Sequence, residues 1–414
     1  NAPSSFFQEH GVLLLTLAGG ATAVAALSAT VLLLGTTVGV TVTVGPADVV
    51  NVATGGSIQA AIDAALEGAL ILVPPGNYQE RVILWKNVKL QGWGAGSTII
   101  NAVKTPADTI EAWRAKANFL VNSVPSLVDL LPGQSNDNSY PLPTEGAPIS
   151  TLFSTEDGPG VLVLAKQGAF TAAARARVDG FTITGAINSG GIIVNGYARY
   201  LEISNNRVVN NQGVFGGGIR VGHPYLVGSD GSYVNGENDH ISIHHNQVAQ
   251  NGSVSAPGAG IALYNGSADY GVSNNFVCGN FAQGDGGGIA HFGLSNNGRI
   301  DSNTVVFNQA FQQTALAGGS GGGILVAGIP QPLGAAVPQS QGTGNVTVVN
   351  NVIQGNNAGS GDGGGISARF VNGQDVLASP NVVASWYAFN LFNNVRFGGV
   401  GTSGMGACHG FAGF

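Results

Sequence analysis

At 414 residues, 44% of them apolar and 9% charged, the chain has apolar material for an extended core. Its 66 glycines follow no Gly-X-Y period, which excludes collagen, and the apolar content argues against disorder. A net charge of −7 without Lys/Arg clusters argues against nucleic acid or an anionic membrane surface as a partner. The two cysteines, Cys278 and Cys408, support neither a disulfide framework nor a cysteine metal site.

Residues 1–50 form an apolar N-terminal segment. From Val12 to Gly35 no residue is charged, and about 20 apolar residues suffice to cross a bilayer. The stretch lacks a basic lead-in, contains Gly19-Gly20 and runs into Thr41-Val42-Thr43-Val44, whose alternation reads as strand. Two readings stay open: buried strands, or an export or membrane segment, with membrane contact expected only if residues 12–35 form an anchor. The missing initial Met suggests a piece of a larger polypeptide.

Residues 51–392 read as one solenoid. Ser57 precedes Ile58, Ala61, Ile62 and Ala65 on one helical face, a short amphipathic helix with a serine cap. Leu70–Val73, Arg81–Leu84 and Val88–Leu90 follow as strands around a Pro74-Pro75-Gly76 turn. A helix ahead of the first strands is what a stacked fold needs to cover its hydrophobic end. Residues 104–168 depart from strand character: Ala107–Leu120 is helical and Ser135–Pro148 is a loop long enough to suggest a flap or an insertion.

Five copies of one pattern follow. Each has Asn, then Val or Ile two residues on, a second Asn, and a glycine cluster ending in Ile: Asn206 to Ile219, Asn246 to Ile261, Asn275 to Ile289, Asn303 to Ile324 and Asn351 to Ile366. A unit this short cannot bury a core alone, so the repeat predicts stacked coils that complete one another's interior. Further excursions interrupt it at 222–238 and 329–344. The repeat asparagines are expected at corners, adopting the left-handed conformation and hydrogen-bonding from coil to coil.

Alternation assigns the faces. Ile203, Ile243, Val272, Ile300 and Val348 should point inward, and the residues between them outward. With coils about 4.8 Å apart, Glu202, His240, His244, Asp269, Arg299 and Asp301 then fall on one face. In a chain so poor in charge they are the candidate catalytic group: a histidine with carboxylates and an arginine nearby can remove a proton and stabilise the anion, or supply the acid and base for glycoside cleavage. A solvated face that merely holds the chain's few charges is the competing reading. A second outward row holds Tyr264, Phe292 and, two coils on, Arg369; these suit stacking on sugar rings or packing under a loop. His291 has inward parity and should be a hydrogen-bonded core histidine. Asp285 and Asp362, each in Gly-Asp-Gly-Gly-Gly, read as turn carboxylates, with Ca²⁺ as a weak alternative; no cofactor is otherwise implied.

Ser57-Ile58-Gln59-Ala60-Ala61-Ile62-Asp63, Pro75-Gly76-Asn77-Tyr78-Gln79-Glu80-Arg81 and Val88-Lys89-Leu90-Gln91-Gly92, together with the Asn/Gly-Gly-Ile repeats, resemble the pectin-lyase-like right-handed parallel β-helix proteins over roughly residues 50–390. The resemblance implies an all-β, right-handed parallel β-helix with a short N-terminal capping helix and a helical and loop insertion. It also implies a polysaccharide partner and a secreted or cell-surface location. That superfamily holds pectate lyases, polygalacturonase-type hydrolases, pectin esterases and alginate epimerases beside surface proteins without known activity. Neither a paired Asp-Asp hydrolase motif nor the epimerases' Tyr-Gly-Phe-Asp-Pro-His stretch is present, so no catalytic residue is carried over. Within the atypical tail, 393–414, Phe397-Gly398-Gly399-Val400-Gly401-Thr402-Ser403-Gly404-Met405-Gly406 and His409-Gly410 resemble the C-terminal segment of aldehyde dehydrogenases. Nothing earlier resembles that family, and Cys408 does not stand for its nucleophile. Two functions remain in competition: a carbohydrate-binding module of lyase, hydrolase or epimerase type, and a non-catalytic stalk of a larger surface protein.

Overall fold

The computed structural model describes residues 48–103, 108–134 and 158–371, apart from 225, 229–232, 255–256, 312–318, 330–341, 360, 362 and 370. It also describes the backbone of the strands Leu27–Leu33 and Thr36–Val42, which pair antiparallel as a separate two-stranded sheet. Most of the 12–35 stretch, the 135–148 loop, Asp362, Cys408 and the 393–414 tail lie outside the described residues. Among those described, no helix is long and apolar enough to cross a membrane.

The repeats wind into a right-handed parallel β-helix with sheets of nine, eight, eight and four strands. The first sheet runs from Val49–Asn51 to Val346–Val349, the second from Gly76–Tyr78 to Val352–Gln354, and the third from Val82–Leu84 to Ile366–Arg369. The short fourth sheet, Gln212–Gly213 to Gln309–Ala310, lies between the second and third in each coil. The register stacks like on like: Ile203, Ile243, Val272, Ile300 and Val348 form one interior file. Val208, Val248, Val277, Val305 and Ile353 form a second, and Ile219, Ile261, Ile289, Ile324 and Ile366 a third. All are buried in one continuous core, so each coil supplies the apolar cover its neighbour lacks.

The corners correct one detail of the sequence reading. The left-handed residue is the one before each repeat asparagine: Asn205, His245, Asn274, Ser302 and Asn350 have φ between 54° and 57°. The repeat asparagine itself is buried. Its side chain has to turn inward to reach the next coil, whereas a left-handed corner residue directs its side chain outward. In this way Asn246 donates from its backbone N and from Nδ2 to Asn275 Oδ1, each at 3.0 Å, and Asn275 repeats both bonds to Asn303 Oδ1 at 3.0 and 2.9 Å. A second ladder runs from Asn211 through Asn251, Asn280 and Asn308 to Asn356. The ladders satisfy amides that the turns would otherwise leave buried and unpaired. The glycine before each Ile has its own cause: a Cβ on Gly260 would stand 2.4 Å from the Gly288 carbonyl oxygen of the next coil.

The open N-terminal end is closed by helix α1, Ile58–Ala64. Ser57 Oγ accepts from Ala60 N, and the Glu80 carboxylate accepts from Ile58 N and Gln59 N. Ile58, Ala61, Ile62 and Ala65 are the face it buries. Helix α2, Asp108–Asn122, lays Trp113, Ala117 and Leu120 over Ile83, Leu162 and Ile193 on the outer face of the third sheet.

Candidate functional site

The outer face of the first sheet carries two rows. One reads Lys89, Arg177, Glu202, Ser242, Gly271, Arg299; the other reads Gln91, Asp179, Ser204, His244, Ser273, Asp301. Strand alternation keeps both rows outside while Val178, Ile203 and Ile243 between them point in.

Of the six residues singled out from sequence, the structure joins Glu202 and His244. His244 Nε2 lies 3.1 Å from Glu202 Oε1, and His244 Nδ1 lies 2.9 Å from His245 Nδ1. A carboxylate only accepts, so the network assigns the His244 proton to Nε2 and leaves Nδ1 to receive the Nδ1–H of His245. Burial and the neighbouring His244 push the His245 pKa down, which keeps that ring a neutral donor. Glu202 is pushed up by its own burial, but the hydrogen bonds from His244 and Ser204 and the charge of Arg177 outweigh this and hold it below the usual carboxylate range. The result is an ionised carboxylate orienting a half-buried imidazole, whose other nitrogen faces a second, exposed imidazole.

Arg299 and Asp301 form a separate group. Asp301 Oδ2 accepts from Arg299 Nε and Nη2 at 3.0 and 2.8 Å, and Oδ1 accepts from Ser302 Oγ and Asn350 Nδ2. Although burial opposes it, these bonds and the Arg299 charge hold the Asp301 pKa low. The strand Gly271–Ser273 intervenes, so Asp301 and His244 stand two coils, roughly 9–10 Å, apart along the sheet. His240 and Asp269 are not on the strands. They occupy a left-handed corner ahead of them, with φ of 60° and 56°. His240 stacks on Tyr200 at 4.5 Å between ring centroids, and Asp269 accepts from Asn297 Nδ2 at 3.1 Å.

Four residues that the sequence reading passed over complete the Glu202–His244 end of the face. Arg177 Nη2 donates to Gln91 Oε1 at 2.8 Å. Asp179, fully enclosed, accepts from Ser204 Oγ and Asn205 Nδ2 at 2.7 Å each. Lys89 is half-buried beside them, its pKa lowered by that burial and by the like charge of Arg177. Arg177 and Asp179 escaped because Phe181 stands where the coil would carry its marker asparagine; it pairs with Asn206 through Phe181 N to Asn206 Oδ1. The signal that could have found them is the alternation around Val178, one coil earlier. Alongside lies an open groove of about 430 Å³ lined by Gln167, Phe170, Thr171, Tyr197, Tyr200 and Glu237.

The expected aromatic row is overturned as a sugar platform. Tyr264 is 0% exposed and Phe292 is buried with it, edge to face at 6.3 Å. Tyr264 Oη donates to Pro257 O, and both rings pack with Ala262, Ala290, Leu325, Ala327 and Ile329. Parity placed them on the outer side of the sheet correctly, but an outer side covered by packed side chains is not a solvent face. Arg369, half-exposed, lies 3.5 Å from Asp285 Oδ1, which accepts from Ser320 N at 2.7 Å. Asp285 is therefore held as a turn carboxylate, pushed up by burial against the pull of Arg369. Among the described residues no group of three His, Cys, Asp or Glu converges as a metal site. His291 is enclosed as expected, with Nδ1 3.0 Å from Tyr270 Oη and Nε2 3.0 Å from Thr343 O.

Neither a family model nor a curated protein sequence matches the chain. Among solved structures, a pectin methylesterase mutant in complex with a hexasaccharide aligns at 12% identity over 75% of this chain and 79% of its own, with a TM-score of 0.37. A rice weevil pectin methyl esterase aligns at 11% identity over 80% and 81%, with a TM-score of 0.34.

Proposed function

We propose that the outer face of the first sheet binds an acidic polysaccharide outside the cell, and that His244, oriented by Glu202, moves a proton on a bound sugar as in a lyase or epimerase. The observation that carries this reading is the 3.1 Å contact between His244 Nε2 and Glu202 Oε1, which fixes the Nε2–H tautomer and makes Nδ1 the basic nitrogen; the exposed His245, which donates to it, turns away when a sugar proton takes its place. Arg177, one coil from Glu202, and Lys89, two coils from it, supply positive charge for a carboxylate on the same chain of sugars. A two-carboxylate hydrolysis is less well supported. Glu202 and Asp301 are three coils apart, about 14 Å along the sheet, beyond the roughly 6.5–9.5 Å that an inverting pair spans.

The test is to incubate the intact chain with a panel of polysaccharides, reading unsaturated-product absorbance and reducing ends, beside His244→Ala and Glu202→Gln. Turnover lost in both variants supports the reading; equal turnover in wild type and variants removes it. A non-catalytic stalk is the second reading, favoured by the two unbroken asparagine ladders. It predicts neither turnover nor saturable binding to any member of the panel.

A further inference from the structure

The outer face of the third sheet carries a covered row: Ile83, Leu162, Ile193, Arg220, Ala262, Ala290, Leu325. Every member is buried, and all but one are aliphatic. Ile83, Leu162 and Ile193 belong to the cluster under helix α2, and Ala262, Ala290 and Leu325 to the cluster around Tyr264. Arg220 alone separates the two. It is 5% exposed. Its Nε donates to the Gly222 carbonyl at 3.0 Å, its guanidinium lies 5.7 Å from the Phe215 ring centroid, and His223, also buried, meets that ring edge-on at 5.4 Å.

Among the described residues no carboxylate stands within ion-pair distance of Arg220. An enclosed charge without a counter-charge is strongly unfavourable. Other groups escape that penalty by neutralising, but a guanidinium does not: burial lowers its pKa only to about 10, so it remains charged at neutral pH. A carbonyl dipole and a ring face compensate it in part. A fixed cation between two apolar clusters, with an aromatic wall, is the donor set that an anionic group entering from outside would complete.

We propose that Arg220, walled by Phe215, forms an anion-binding site on the third sheet that takes the oxyanion of a small ligand: a carboxylate, phosphate or sulfate group. The site lies on a different sheet from the Glu202–His244 pair and does not depend on the function proposed for it.

The test is calorimetric titration of the intact chain with inorganic phosphate, sulfate and acetate at constant ionic strength, with chloride as the control. Saturable binding of at least one oxyanion, weakened at least tenfold in Arg220→Met and partly restored in Arg220→Lys, is expected, and the order of the three identifies the group preferred. A parallel melt should show a saturable rise in Tm on the order of 3–5 °C at a hundredfold excess over Kd. In chloride alone Arg220→Met should melt at or above wild type, because it removes an uncompensated charge. Absence of saturable binding to all three oxyanions in wild type overturns the proposal, whether or not the variant folds. So does Arg220→Met binding as tightly as wild type, or a clear loss of Tm in chloride, which would mark Arg220 as part of the packing.

Discussion

Glu202 and His244 lie one coil apart on adjacent strands and offset by two residues, so their side chains meet diagonally at 3.1 Å while the backbone between them stays in register. The His244 and Glu202 side chains are 23% and 27% exposed, and the contact is worth about 1 kcal/mol to stability. His244→Ala should therefore leave the melting temperature nearly unchanged while reducing turnover on a responsive polysaccharide by roughly 10²–10⁴-fold. Glu202→Gln keeps shape and loses charge, and should reduce kcat while leaving substrate binding within a few-fold. A collapse of Tm in either variant would show that the pair is structural.

The asparagine ladders predict effects of very different size at neighbouring positions. Asn275 Oδ1 accepts two bonds from Asn246, and its Nδ2 donates to Ile243 O and Asn303 Oδ1. Asn275→Ala leaves buried partners unpaired and should cost about 3 kcal/mol in urea denaturation. Asn274, at φ 55°, tolerates Gly, and Asn274→Gly should change stability by less than about 1 kcal/mol.

His291 is neutral in the core, and burial pushes its pKa down to about 4 against the ordinary 6.5. Between those values the unfolded chain binds the proton and the folded one does not, so stability decreases as pH falls from 6.5 to 4 and this contribution is constant below that. The contribution amounts to at most about 3 kcal/mol. Denaturation midpoints at pH 7 and pH 4.5 should differ more for wild type than for His291→Gln; equal differences would contradict the assignment.

Phe307 holds a left-handed corner at φ 55° and is 64% exposed, where the coils on either side carry Gly279 and Gly355. A bulky residue there is strained and buries little in return. Phe307→Asn should raise stability by roughly 0.5–1 kcal/mol, readable as a higher urea midpoint at unchanged m-value. A lower midpoint would show that the ring's contact with the Gly355 turn matters more than the strain.

The spacing of Asn, Val and Gly-Ile determined the stacking of coils and the inward files, and the spacing of Ile58, Ala61, Ile62 and Ala65 the capping helix, because those depend on period and on which residues water rejects. The Ser57 cap, the helix within the 104–168 insertion, the interior position of His291 and the outward parity of Glu202 and His244 were all legible at that level. Parity could not say which outward residues meet, since that depends on how many coils intervene: Gly271–Ser273 separates Asp301 from His244, and only the strand register reveals it. Nor could it say which outward faces are covered. Tyr264 and Phe292 share the parity of solvent-facing positions, yet they are enclosed because chain distant in sequence packs over them, as helix α2 does over Ile193. Arg177 and Asp179 joined the candidate site through register alone, in a coil whose marker asparagine is replaced by Phe181. A local pattern is set by one strand's own chemistry; contact, cover and charge balance are properties of neighbours, and only the folded chain chooses those.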